Sequence, residues 1–114
     1  MIAVIFEFTP AEGRRQEYLD LTVKLRVELE KADGFLSIER FESLTHPGRL
    51  VSLSYWRDEE AVRRWRNVQL HREAQAKGRG GVFSAYRLRV AEVKRDYTMS
   101  DRAQAPADSV AVHG

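Results

Sequence analysis

The stretch from Arg49 to Tyr97, RLVSLSYWRDEEAVRRWRNVQLHREAQAKGRGGVFSAYRLRVAEVKRDY, limits the possible folds more tightly than any other part of the chain. It reads as a strand, a charged helix, a glycine stop and a long alternating strand. The first half of the chain repeats that shape without repeating the sequence. Together the halves spell β-α-β-β-α-β, the order of an α+β ferredoxin-like domain with one antiparallel four-stranded sheet. At 114 residues there is room for one such domain and not for two ordinary ones.

In the first half, residues 2–8 (IAVIFEF) have the β-branched and aromatic composition of a strand. Ile2, Val4, Phe6 and Phe8 form one fully apolar face, and the other face ends in Glu7. Thr9 and Pro10, with Glu12 three residues after the threonine, read as a capped helix start, which predicts a helix from about Pro10 to Ala32. Its main stripe is Tyr18, Leu21, Leu25 and Leu29; a second row, Leu19, Val23 and Val27, calls for contact with another helix, the tail or another subunit. Asp33-Gly34 stops the helix, glycine supplying a left-handed cap. Residues 35–43 and 49–56 form a hairpin across the turn THPG.

In the second half, Asp58 caps a helix over about 58–77, whose buried stripe is Ala61, Val62, Trp65 and Val68, and the segment from Gly78 to Gly81 ends it. Residues 82–95 make the last strand, in which Tyr86, Leu88 and Val90 alternate with Arg87, Arg89 and Ala91. Residues 98–114 lose periodicity and gain small polar residues. They are expected to form a flexible tail with one docked segment around Val110–Val112, leaving residues 1–97 as the domain.

Composition excludes several classes of function. With no cysteine there are no disulfides, thiolate metal sites or cysteine nucleophiles. Three scattered histidines suggest no metal cluster. Nineteen basic against 17 acidic residues leave a net charge of +2, too small an excess for a nucleic-acid surface. No apolar run is long enough to span a bilayer, and MIAVIFEFTP reads as a strand rather than a signal peptide, so no membrane association and a cytoplasmic location are expected. GRGG lacks the signature of a phosphate loop, and no dinucleotide fingerprint is present.

His71 is the candidate acid–base group, because imidazole titrates near neutrality; the bland alternative is a helix-end histidine bonded to a carbonyl. His46 in its turn and His113 in the tail are expected to be solvent-exposed. Trp65 lies on the apolar stripe of the second helix, as a core residue or as the wall of an aromatic site. Glu7, Arg87 and Arg89 are charges within strands, and the first and last strands are neighbours in this topology. Glu7 can therefore reach an arginine on its own face, as a salt bridge at an interface or as part of an anion site.

An IFEF first strand, Gly34-Phe35 opening the second, SLSYW followed by Asp58, then Trp65, His71 and a strand from Tyr86 to Tyr97 stand here in a fixed order. On these residues the chain, over about 1–97, resembles the antibiotic biosynthesis monooxygenase (ABM) family of dimeric α+β barrels. The resemblance implies a homodimer in which two sheets face each other with helices outside. It also implies cofactor-free oxidation of a small aromatic or polycyclic ligand by O2; a non-catalytic dimer that binds a small ligand is an alternative from another class. Haem binding or degradation is an alternative within the same superfamily. That branch wants an Asn where Glu7 roughly falls and a His ten residues after the Trp, where Gln75 stands; His71 follows Trp65 by only six. In the oxygenase reading His71 is the base, Trp65 a catalytic wall and Arg89 the electrostatic support. Glu7 and Arg87 join the substrate-binding candidates. Val51, Leu53 and Tyr55 are expected beneath the helices, which turns Ser52, Ser54 and Trp56 toward the dimer interior as further substrate-binding candidates.

Overall fold

The computed structural model describes the backbone of residues 1–77 and 81–114 and the side chains of 1–68 and 81–114; the Gly78–Gly80 stop and the His71 side chain lie outside the described residues. The elements are β1 (Ile2–Pro10), α1 (Arg15–Glu30), β2 (Phe35–Glu42), β3 (Leu50–Trp56), α2 (Glu59–Lys77), β4 (Phe83–Glu92) and α3 (Ala107–His113). The first six follow the expected order, and all neighbours in the sheet β2-β3-β1-β4 pair antiparallel.

The start of α1 departs from expectation. Thr9 and Pro10 do not cap the helix; they extend β1, with Pro10 opposite Phe83 after a register shift. Ala11 N–H then donates to Val82 carbonyl at 2.7 Å, so pairing with the last strand outcompetes the local capping signal. Gly13 turns the chain with φ +76°, and the helix begins only at Arg15. Arg14 fixes this start, its guanidinium reaching Glu17 at 2.6 and 2.8 Å and the Gly81 carbonyl at 3.0 Å. At the other end the helix closes on Lys31, and Gly34, φ +85°, serves the turn into β2. A side chain there would also meet Ala61 Cβ at 2.5 Å, so α2 approaches this turn closely.

The apolar face of β1 sets the core. Phe8, Tyr18, Leu50 and Val82 form one buried cluster, with Phe6, Leu19 and Phe83 against it. Leu29, Trp56, Ala61 and Val62 form a second, with Val4, Phe35, Ile38 and Trp65 around it. Within the second row of α1 only Leu19 is partly covered, while Val23 and Val27 stay exposed, as does Val68 on α2.

These clusters overturn the expected faces of β3. Val4 lies opposite Ser54, Phe6 opposite Ser52 and Ile2 opposite Trp56, so the serines and Trp56 share the apolar face of β1 beneath the helices. Val51, Leu53 and Tyr55 stand on the open side and are only half-buried. Alternation gave β3 two plausible faces, and the larger volume of Trp56, which fits only between Phe35, Leu29 and Trp65, decides between them. The segment after β4 also differs from a purely irregular tail, since Ala107–His113 forms α3 with Asp108 in its first turn and His113 in its last. Arg102 ties it down through the Gly114 carbonyl and the Ser109 hydroxyl and lies over the Tyr97 ring.

Asp58 caps α2 as expected, its Oδ1 accepting from Ala61 N–H at 2.9 Å. That bond and the adjacent Arg57 hold its carboxyl below the usual range, and Arg57 does the same for Asp33. Carboxyls whose pKa is lower folded than unfolded stabilise the fold above the unfolded value, and the contribution vanishes as pH falls through the folded one. Thermal melts should therefore show a melting temperature that is flat at neutral pH and declines below about pH 4. In Asp58→Asn, which keeps a capping oxygen, that decline should be shallower.

Candidate functional site

The helix-facing side of the sheet is unevenly filled. On β3, Leu50 and Trp56 are bulky, but the positions between them are the buried serines Ser52 and Ser54. Their small side chains leave a gap between the two core clusters, a cavity of about 80 Å³. Val4 and Phe6 of β1 join the serines in its floor, and Val62, Trp65 and Arg66 of α2 form its roof. Ile38 lines the β2 side and Trp56 one end. On the β4 side the lining residues Leu88 and Val90 remain 47% and 42% exposed, so the cavity opens there. A water needs about 10–15 Å³. The space therefore holds several waters, or the reacting end of a ligand whose remainder extends past β4.

The aromatic walls are fixed before any ligand arrives. Trp56 is 1% exposed and packs edge-on against Phe35, with ring centroids 5.4 Å apart. Trp65 leans over it at 6.1 Å with an interplanar angle of 31°. Trp56 Nε1 donates to Ser54 Oγ at 2.9 Å, which satisfies the buried indole and leaves the serine proton free to donate to a ligand oxygen. Arg66 is the sole ionisable group among the described lining residues. Its helical neighbours are paired, Arg63 with Glu60, and Arg64 with Asp33 and Glu60, whereas no acidic partner of Arg66 occurs among the described residues.

Four expected site residues, Ser52, Ser54, Trp56 and Trp65, thus come together, on the helix side of the sheet rather than toward a dimer interior. Glu7, Arg87 and Arg89 do not join them. They share the open face of the sheet, where Arg89 Nη1 meets Glu7 Oε1 at 2.9 Å, so the expected bridge forms away from the cavity. Sequence reasoning did not single out Arg66 among the arginines of the charged second helix. The signal lay in its spacing, since a residue four beyond buried Val62 shares that side of the helix.

No His, Tyr or Met is among the described lining residues, so no described side chain there would ligate a haem iron. Among the described residues there is also no group of three or more His, Asp or Glu side chains placed to hold a metal ion. No described helix is long and apolar enough to cross a membrane.

Fold and cavity together define a ferredoxin-like α+β domain with a small, mostly apolar site between its sheet and second helix. Residues 1–77 match the family model described as antibiotic biosynthesis monooxygenase, and the chain belongs to that family. It is 44% identical over 113 residues to the jasmonate monooxygenase ABM of Pyricularia oryzae, covering 91% of this chain and 53% of that protein. The chain spans about half the length of the curated relatives it matches. Among solved structures it is similar to Rv0793 of Mycobacterium tuberculosis, with a TM-score of 0.70, 22% identity, and coverage of 85% of this chain and 98% of that one. It also resembles SnoaB of Streptomyces nogalater, described as a cofactor-independent oxygenase, with a TM-score of 0.65, 14% identity, and coverage of 83% and 94%. At these identities the two structures speak for the fold alone.

Ser54→Val should leave the Trp56 indole N–H buried without an acceptor, costing roughly 1–3 kcal/mol in urea unfolding. Ser54→Thr, which keeps the hydroxyl, should lose much less.

Proposed function

We propose that the chain is a small monooxygenase that uses O2, without a resident cofactor, to oxidise a ring-bearing apolar molecule seated between Trp65 and the serine floor. The observation that carries this reading is the pairing of two fixed indole walls with hydroxyl donors in an otherwise apolar cavity. Such a site orients a ring and hydrogen-bonds its oxygen while excluding most water. The name of the Pyricularia oryzae relative adds alicyclic ketones to the aromatic and polycyclic substrates considered from sequence.

The chemistry balances with the substrate as sole reductant. An acidified CH2 loses a proton to a base, and His71, six residues beyond Trp65 on α2, is the proposed base. The carbanion transfers electrons to O2 and forms a C–O bond. The resulting hydroperoxide, once protonated, loses water to leave a carbonyl, so CH2 and O2 become C=O and H2O. The serine hydroxyls would hold the enolate oxygen through the first step. Arg89 takes no part in this scheme, because its guanidinium is committed to Glu7 on the opposite face.

That opposite face supports a second copy of the chain as partner. Ile5, Val51, Leu53 and Tyr55 are half-buried there beside exposed Phe41, an apolar sheet surface edged by the Glu7–Arg89 bridge. Light scattering should give a dimer mass for the native chain and a monomer mass for Leu53→Glu; a monomeric native chain would refute the partner.

The oxygenase itself is tested with an anthrone and with jasmonic acid under 18O2. One labelled oxygen in the product, with O2 uptake, is expected. Ser52→Leu, which fills the cavity, should abolish both while the chain stays folded. Tight ligand binding with no O2 uptake would replace the enzyme by a ligand-binding protein.

A further inference from the structure

Among the described lining residues of the cavity, Arg66 is the single cation. Arg57, Arg63 and Arg64 at the start of α2 are engaged with Asp33, Asp58 and Glu60. Arg66 instead lines the cavity, with no acidic partner among the described residues. A guanidinium placed at the edge of an apolar site is a strong selector, because its fork geometry matches a carboxylate and it stays charged at any working pH. The remaining described lining is apolar or hydroxyl-bearing, so no second cation is present there to balance a dianion. The charge count therefore fits one negative charge at the mouth and an uncharged, ring-bearing body inside.

We propose that Arg66 anchors the carboxylate of an apolar monocarboxylic acid and so sets the substrate class of this site. This rests on the reading of the cavity as the substrate site. The acid's ring lies between Trp65 and the β1–β3 floor, its ketone or hydroxyl oxygen takes the Ser54 proton, and its carboxylate stays at the solvent edge on Arg66. Because the guanidinium is exposed, solvent screens the pair, and the gain is modest: about tenfold in affinity, or roughly 1.4 kcal/mol.

The test is equilibrium binding, independent of turnover. The chain has two tryptophans, Trp56 and Trp65, and both line the cavity, so selectively excited tryptophan fluorescence reports on this site. Jasmonic acid and its methyl ester, which share a ring and differ in charge, are titrated into native chain, Arg66→Gln and Arg66→Lys. The acid should bind native chain about tenfold more tightly than the ester, and added salt should weaken only the acid. Arg66→Gln should bring the acid down to the ester's affinity without altering the ester, and Arg66→Lys should retain part of the preference. Equal binding of acid and ester to native chain overturns the anchor and leaves the cavity reading standing. So does an equal loss of both in Arg66→Gln. Failure of both ligands to change the fluorescence overturns the anchor and the cavity reading together.

Discussion

Burial of Trp56 is the interaction on which the arrangement turns. At the end of β3 its indole meets Phe35 at the start of β2, Leu29 near the end of α1, and Ala61, Val62 and Trp65 on α2. One side chain thus joins two strands and both major helices. Its polar edge is satisfied within its own strand by Ser54, so full burial carries no penalty for an unpaired donor. Because side chains alternate along a strand, fixing Trp56 beneath the helices also fixes Ser54, Ser52 and Leu50 there. The position of the site follows from that one placement.

The same constraint explains why a cavity exists at all. A strand facing two helices would ordinarily fill its central positions with Leu, Ile or Val. Two serines there sacrifice apolar burial, and the adjacent Phe6 and Val4 do not expand to fill the gap. Natural cores rarely leave such space without use. The opposite face shows the reverse economy: Val51, Leu53 and Tyr55 are large and apolar but only half-buried in a single chain. One side of the sheet thus carries the cavity and the other an apolar surface, with the Glu7–Arg89 bridge on the second.

Much of this was legible in the residues. Hydrophobic period, the Asp58 cap and the THPG turn carried the order of elements, because these signals act locally. Errors arose where distant partners outweighed local chemistry. Thr9-Pro10 looks like a helix start until Val82 offers a carbonyl to Ala11. The faces of β3 could be assigned from its own alternation only by guessing which set was more apolar, and the answer depended on the volume left among α1, β2 and α2. Trp65, Trp56 and the serines were recognisable as unusual, yet their side of the sheet was not. Arg66 was hidden by its neighbours: three arginines in four residues look alike in sequence, and only the positions of Glu60 and Asp33 separate the paired from the unpaired.

The central claim is that ligand chemistry belongs to the helix-covered side of this sheet. Two-dimensional NMR of labelled protein during titration with a ring-bearing apolar acid addresses it most directly. The account requires the indole N–H signals of Trp56 and Trp65 to shift together and saturably, while the methyl signals of Ile5 and Leu53 stay in place. Shifts confined to Ile5 and Leu53, with both indoles unmoved, would put the ligand on the other face and contradict it.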